Sequence, residues 1–302
     1  GGRMTANADI LWKMIVQGLF EDLVLFALPE LHAAVNWDKE VKFLDQEMPK
    51  IKEPRKRGIR YVDVLASFYL KEGEESLILL HLEIQDDPID TPIKLSKHMF
   101  QYYIRIRDKL EKDITSMAFL IGEANDSGIH HEENFGTKIT YEYNVLHIKG
   151  LDAQKLEQSS NPFALAALAG QKVIEAKGND LQKLNFAREL FRLLKAHGYS
   201  PQKTTALFLF LEGIFEPKSK ELLKEYTKEV DQMICNQELP MVMTPTIRRW
   251  CKEAEMEGEL KGKLEGKLET ARNMLSRGMG ILLISDLTGL SIEEITALEE
   301  KE

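Results

Sequence analysis

The stretch between Arg60 and Arg105 limits the possible folds of this chain more than any other. Residues Tyr61 to Leu70 are rich in Val, Tyr and Phe, and residues Leu77 to Ile84 are almost wholly apolar. The letters KEGEES between them supply the glycine and the charges of a turn. This pattern predicts two buried strands joined as a hairpin. A helix is expected to follow over Leu95 to Leu110, where apolar residues recur at helical spacing.

Acidic and amide side chains interrupt both strands of this hairpin. Asp63 lies on the first strand, and Glu83 and Gln85 lie on the second. Because side chains alternate between the two faces of a strand, Glu83 and Gln85 share one face and Ile84 points to the other. If Asp63 lies opposite them, the two carboxylates can hold a divalent cation of the kind that assists phosphodiester hydrolysis. The alternative is that both acids are solvated charges near strand ends, where acids are common.

The order of these residues resembles a known family. Arg60-x-x-Asp63, then Glu83-x-Gln85, then a helix reading HMFQYY is similar to the PD-(D/E)xK nucleases of the recombination-promoting, transposase-like family. The resemblance implies that Asp63, Glu83 and the backbone carbonyl of Ile84 bind Mg²⁺ or Mn²⁺. Gln85 takes the place of the usual lysine, as is common in this family. Its amide can orient a water or a phosphate, but it carries no charge.

The resemblance also implies residues on the DNA side of the site. The candidates for phosphate contacts are Arg60, His98 and Tyr102, although the family usually has an arginine where this chain has His98. The first helix of the family sometimes points an acid at the metal. The acids that match by position alone are Asp9, Glu21 and Asp22. For each of these three, we favour the alternative of a solvated residue on the outer face.

The segments around the hairpin predict an α/β core. One or two amphipathic helices are expected from about Asp9 to Leu31, with Pro29 as their end, and VKFLDQEMPKI is typical of a strand-like lead into the hairpin. Further strands are predicted over Ile114 to Ile121 and Lys138 to Ile148, with the HHEE letters at 130–133 in a loop between them. The resulting fold class is α/β with a helical C-terminal half. The resemblance implies that the core is of the PD-(D/E)xK restriction-endonuclease-like type, a mixed central sheet flanked by helices.

The predicted domains are the nuclease-like core over 4–152, a helical region over 153–250 and a tail over 251–302. The tail begins with a four-residue repeat that aligns glycines and leucines in separate rows: Gly258, Gly262, Gly266 and Leu260, Leu264, Leu268. Each interior glycine costs a helix about 1 kcal/mol relative to alanine. A glycine row permits close approach of a second helix, so self-association is one interpretation. A charged spacer helix is an equally weighted alternative.

The end of the tail has the outline of a helix-turn-helix. Two short apolar helices are separated by a Thr-Gly break, and Ser291 with Glu294 forms a predicted capping box. The second helix carries four acids, Glu293, Glu294, Glu299 and Glu300. Because a DNA reader needs polar or basic groups there, we favour a helical hairpin or an oligomerisation element over DNA binding.

Charge and apolar content bear on partners and location. The 302 residues carry a net charge of -9, which argues against nonspecific binding to nucleic acids. Basic patches at 50–52 and 55–57 lie just before the hairpin and could offset this, although charge runs are usually solvated. No apolar run approaches the roughly 18 residues of a membrane span. The N-terminus lacks the apolar region of a secretory signal, so we expect a cytoplasmic protein without membrane partners.

The two cysteines, Cys235 and Cys251, have neither a CxxC nor a zinc spacing and are expected to be reduced. The residues and the resemblance together predict a metal-dependent DNA endonuclease, with a role in DNA recombination implied by the resemblance alone. The alternative is a catalytically weak or silent nuclease-like fold that serves as a binding or homo-oligomerisation module through its C-terminal helices. The acidic charge, the missing lysine and the glycine row favour that alternative.

Overall fold

A computed structural model describes residues 8–44, 60–85, 95–122, 126–242, 262, 265–276 and 279–299. At residues 9, 60–63, 82–85 and 299 it describes the backbone alone. The chain divides into two compact units. One comprises the chain up to Val230 together with Glu238–Val242, and the other comprises Asp231–Gln237 and the tail from Met243.

The strands, in chain order, are β1 (Lys42–Phe43), β2 (Arg60–Tyr69), β3 (Glu75–Gln85), β4 (Ile114–Gly122), β5 (Ile129–Asn134), β6 (Thr137–Glu142) and β7 (Asn144–His147). The central sheet has five strands in the order β1-β2-β3-β4-β7. Strands β1, β2 and β3 pair antiparallel, whereas β4 runs parallel to β3 and β7 runs parallel to β4. Strands β5 and β6 form a separate two-stranded sheet. The predicted mixed sheet is therefore confirmed.

The helices are α1 (Ala8–Gly18), α2 (Phe20–Ala27), α3 (Pro29–Ala34), α4 (Leu95–Leu110), α5 (Ala153–Gln158), α6 (Pro162–Ala176), α7 (Asp180–His197), α8 (Pro201–Ile214), α9 (Lys220–Cys235), α10 (residues 265–276), α11 (Ile281–Thr288) and α12 (Ile292–Glu299). The predicted helical C-terminal half is thus confirmed. Among the residues with described positions, no helix is both long enough and apolar enough to cross a membrane.

Helices cover both faces of the central sheet because its middle strands are apolar on both faces. On one face, the Phe119 ring of β4 lies 5.8 Å from the Trp12 ring of α1 and 5.6 Å from the Phe163 ring of α6, measured between centroids. The neighbouring residues of β4, Ala118 and Leu120, form a buried cluster with α4 on the other face. Alternation along β4 therefore separates the two helical layers.

Side chains of the hairpin continue the layer under α4. Leu65 of β2 and Leu77 and Leu79 of β3 are buried against Tyr102 and Ile106 of α4. These contacts hold α4 across the hairpin. Burial of each such side chain is worth roughly 1.5 to 3 kcal/mol, so the orientation of α4 is strongly determined.

The tail forms a small helical unit of its own. Ala271 of α10, Ile284 of α11 and Ile295 of α12 are fully buried against one another, and Leu290 and Leu298 complete the cluster. Leu268, from the predicted leucine row, packs against it. The other two leucines of that row, at 260 and 264, lie outside the described residues.

Three predictions about single elements are wrong. Pro29 does not end the N-terminal helices but begins α3, because proline lacks the N–H group that the first helical position leaves unused. The segment Lys138 to Ile148 is not one strand: β6 pairs with β5, and β7 joins the central sheet. The predicted HHEE loop is part of β5. Of the two cysteines, Cys235 is exposed, and Cys251 lies outside the described residues.

Candidate active site

The candidate metal ligands lie at one end of the central sheet. Since β2 and β3 are antiparallel, the beginning of β2 is adjacent to the end of β3, and the end of β4 is adjacent to the end of β3 on its other side. Asp63 lies near the beginning of β2, and Glu83 and Gln85 close β3. The hairpin thus brings together the three residues that the sequence separates.

The register determines how these residues are arranged. Asp63 pairs with His81, and Tyr61 pairs with Glu83. Directly opposed residues share a face, and their Cβ atoms are typically about 5 Å apart, with diagonal neighbours at about 7 to 8 Å. Asp63 and Glu83 are therefore diagonal neighbours on one face of the sheet.

The helix α4 covers the same face at the same end. Leu95, in the first turn of α4, packs in one buried cluster with Leu120 of β4, and Leu120 is in register with Glu83. A helix N-terminus carries a partial positive charge and unpaired N–H groups. The first turn of α4 is therefore oriented to favour carboxylates or phosphate at this end of the sheet.

Three aromatic side chains connect α4 to the hairpin. The His98 ring lies 5.0 Å from the His81 ring and 4.2 Å from the Tyr102 ring, and His81 and Tyr102 are 6.4 Å apart, all between centroids. Tyr102 is only 3% exposed and belongs to the core under α4. The structure therefore brings two of the predicted phosphate contacts beside the hairpin, and it makes Tyr102 mainly a packing residue. The third, Arg60, begins β2 opposite Ile84.

His81 was not predicted to be a site residue, although the sequence contains a signal for it. His81 is on the same period-two face as Glu83 and Gln85, and it follows an apolar run in β3. It is completely buried. The signal was a polar residue in β3 that lies between an apolar run and the two polar candidates Glu83 and Gln85.

The first-helix acids occupy different surroundings. Asp9 belongs to α1, which packs on the sheet face opposite to α4. Glu21 Oε1 lies 3.4 Å from the Nε2 atom of His32, and its side chain is 55% exposed. Asp22 is buried and accepts a hydrogen bond from Lys203 Nζ at 2.8 Å. The described contacts of Glu21 and Asp22 are therefore contacts between helices.

The donor atoms at the hairpin fit a hard divalent cation. Two carboxylates and a backbone carbonyl are oxygen donors, which Mg²⁺ and Mn²⁺ prefer, whereas zinc favours nitrogen and sulfur. Among the side chains that the structure describes, no group of three or more His, Cys, Asp or Glu residues could hold a metal.

Comparison with protein families matched the tail. Residues 264–300 match the model of the C-terminal HTH domain of the Rpn/YhgA-like nuclease family. The tail is therefore similar to the C-terminal domain of that family. This match supports the family that the hairpin residues resemble, from a part of the chain that does not contain them. Comparisons with curated proteins and with solved structures found no match.

The geometry of the Rpn/YhgA-like tail agrees with a helix-turn-helix. Gly289 ends α11 at a φ of +68°, a left-handed conformation that favours glycine. The predicted capping box begins α12: Glu294 N–H donates to Ser291 Oγ at 3.2 Å, and Ser291 N–H donates to Glu294 Oε2 at 2.8 Å. The predicted helix-turn-helix outline is confirmed. The match to an HTH domain suggests DNA binding, and the preference for a helical hairpin or an oligomerisation element over DNA binding stays a prediction.

The exposed charged groups of this domain include both signs. Glu293 and Glu294 of α12 are exposed, and α10 exposes the bases Lys267 and Arg272 together with the acids Glu265 and Glu269. The glycine at 266 faces open space, since a Cβ atom there would meet no described atom within 4 Å. The same holds at 262, and Gly258 lies outside the described residues.

Proposed function

We propose that this Rpn/YhgA-like protein is an Mg²⁺- or Mn²⁺-dependent DNA endonuclease of the PD-(D/E)xK type. The observation that supports the proposal best is the register, in which Asp63 and Glu83 are diagonal neighbours beneath the first half of α4. Family membership supports a nuclease-related role independently. Phosphodiester hydrolysis needs few other groups, because a bound Mg²⁺ lowers the pKa of a water and offsets charge on the phosphoryl oxygens.

In the proposed site, Asp63, Glu83 and the Ile84 carbonyl would hold the cation. Gln85 would accept or donate hydrogen bonds that orient the water or a phosphate oxygen. The water oxygen would form a bond to phosphorus and release a proton to solvent, while the P–O bond to the leaving nucleotide breaks and the leaving oxygen takes up a proton from solvent. Arg60 and His98 contact the phosphates on either side. Net acidity of the chain makes these local contacts necessary for binding DNA.

The helix-turn-helix domain is proposed as a second DNA contact. Helix-turn-helix units bind duplex DNA through their second helix and through phosphate contacts around it. Here α12 exposes two acids, so we assign the phosphate contacts to Lys267 and Arg272 of α10. Replacing both by Gln should weaken DNA binding and flatten its salt dependence, measured by fluorescence anisotropy at several salt concentrations.

Nicking of supercoiled plasmid tests the cleavage activity. We expect Asp63→Asn and Glu83→Gln to abolish nicking in Mg²⁺ or Mn²⁺ while the proteins remain folded. Glu72→Gln is the matched control, because Glu72 is an exposed acid of the β2–β3 turn. EDTA should stop the parent and the control alike. Nicking at the parent rate by both folded site variants would refute the proposal.

The second candidate function is a binding module that assembles with a second copy of the chain. The observation that favours it is an exposed apolar face on α11, where Leu282 is 73% and Leu287 is 60% exposed. Large exposed apolar patches on small domains usually mark interaction sites. We expect the chain to elute as an oligomer, and Leu282→Glu with Leu287→Glu to make it monomeric.

Light scattering coupled to size exclusion measures that mass. The control is Asp286→Asn on the same helix, which leaves the apolar residues in place. Removing the chain from Lys252 onward should have the same effect as the double substitution. An unchanged mass in both cases would exclude the tail as the assembly element.

A further inference from the structure

His81 occupies the boundary between the core and the candidate metal site. Along the face under α4, the cross-strand pairs of the hairpin change from Leu65–Leu79 to Asp63–His81 and then to Tyr61–Glu83. The leucine pair is buried in the core. His81 is also 0% exposed. It is therefore a fully buried imidazole immediately before a polar end of the sheet.

The neighbours of His81 limit what its ring nitrogens can reach. On the β4 side, its partner in the ladder is Ala118, whose side chain has no polar atom. On the β2 side, its partner is Asp63. On the face of the sheet that α4 covers, the rings of His98 and Tyr102 lie against the His81 ring. Buried polar groups in folded proteins are almost always hydrogen-bonded. Across the ladder, the residue in register with His81 is the acid Asp63.

We propose that His81 is a positioning residue that donates a ring N–H hydrogen bond to the Asp63 carboxylate and holds it in the orientation that binds the cation. This inference rests on the proposed function. Groups that hydrogen-bond to metal ligands fix the orientation of those ligands, and removing such a group typically weakens metal affinity about 10- to 100-fold. The packing of His81 against His98 and Tyr102 fixes the imidazole in turn.

Mn²⁺ binding to the full chain, measured by calorimetry, tests the inference. His81→Phe preserves a ring among the aromatic neighbours and removes both nitrogens, and we expect it to raise the Kd for Mn²⁺ about 10- to 100-fold. His81→Gln retains an N–H donor and should lie between that variant and the parent. If His81→Phe fails to fold, His81→Gln is compared with His81→Leu, because Gln retains an N–H donor and Leu does not.

His130→Phe is the matched control. His130 is likewise buried, at 5% exposure, and its ring stacks on Phe100 of α4 at 4.9 Å, but it belongs to the separate β5–β6 sheet. We expect its Kd for Mn²⁺ to equal that of the parent. Saturating Mn²⁺ should restore nicking by His81→Phe towards the parent rate. If His81→Phe only disturbed the packing of the core, its nicking rate would stay low at every Mn²⁺ concentration.

The result separates this inference from the proposed function. If Asp63→Asn abolishes Mn²⁺ binding and the folded His81→Phe binds Mn²⁺ within twofold of the parent, the role of His81 is refuted and the metal site stands. If Asp63→Asn and Glu83→Gln both bind Mn²⁺ like the parent, the metal site itself is refuted.

Discussion

Lys203 of α8 forms an ion pair with Asp22 of α2, with Nζ and Oδ1 2.8 Å apart, across a sequence separation of 181 residues. Asn161, the N-cap of α6, donates a second hydrogen bond to the backbone carbonyl of Asp22 at 2.9 Å. These two contacts join α2 to the helical half, in addition to the ring contact between Trp12 of α1 and Phe210 of α8, whose centroids lie 4.9 Å apart. An acid that resembles a metal ligand by position alone has a packing role here.

Asp22→Asn should lower the free energy of unfolding by about 1 kcal/mol, because it removes one charge of a partly buried pair while Lys203 keeps access to water. Urea unfolding measures this. Glu21→Gln is the control and should have little effect, since its contact with His32 is exposed. Plasmid nicking by both variants should equal that of the parent. Loss of nicking by folded Asp22→Asn would move Asp22 into the active site.

Gln85 should contribute to the rate more than to metal affinity, because its amide orients groups without carrying charge. Gln85→Ala is expected to lower kcat about a hundredfold. Its Kd for Mn²⁺ should stay close to that of the parent. Gln85→Lys, which restores the residue usual in the wider nuclease superfamily, should cut at least as fast as the parent. Equal rates for Gln85→Ala and the parent would remove Gln85 from the site.

Glu75, at the opposite end of β3 from the candidate site, should make the free energy of unfolding depend on pH. The Lys112 ammonium, with Nζ 2.5 Å from Oε2, and the Ser67 hydroxyl lower the pKa of Glu75 below its ordinary 4.5. A carboxylate whose folded-state pKa is depressed stabilises the protein fully above the unfolded-state pKa. This contribution is lost as the pH falls through the folded-state value.

The unfolding temperature of the parent should therefore fall more steeply than that of Glu75→Gln between about pH 5 and about pH 3. Differential scanning calorimetry across this range measures the two slopes. Glu72→Gln, in the exposed turn, should follow the parent. Identical slopes for Glu75→Gln and the parent would show that the ion pair adds no pH-dependent stability.

The capping box of α12 should stabilise the helix-turn-helix domain by about 1 kcal/mol. Ser291→Ala removes the hydroxyl that accepts from the Glu294 N–H group. Amide hydrogen exchange in α11 and α12 should accelerate accordingly, while exchange in the central sheet stays unchanged. Ser276→Ala, at the end of α10, is the control. Unchanged exchange in Ser291→Ala would indicate that tertiary packing alone holds α12.

Local patterns predicted the elements that the site uses. The bounds of α4 agree with the prediction at both ends, and the hairpin agrees to within a few residues. The capping box was equally visible, because a helix start depends on residues three positions apart. The family was identifiable for the same reason, since its motif lies on adjacent elements.

Contacts between distant segments could not be predicted in this way. Whether residues 138–148 form one strand depends on which partner each half finds, and β5 and β4 are separate partners. The HHEE letters appeared typical of a loop because their pairing with β6 is not visible in composition. The ion pair between Asp22 and Lys203 joins segments that no local pattern relates.

The shared face of Glu83 and Gln85 could be predicted from the sequence alone, because side chains alternate along any strand. The sequence also determined the turn, α4 and the helix-turn-helix outline, whose signals are local. The pairing of β2 with β3 is a tertiary contact. It places Asp63 opposite His81 and makes Asp63 a diagonal neighbour of Glu83. A slip of one residue in the register would move Asp63 to the other face of the sheet, and the packing of Leu65 and Leu79 under α4 is what prevents it.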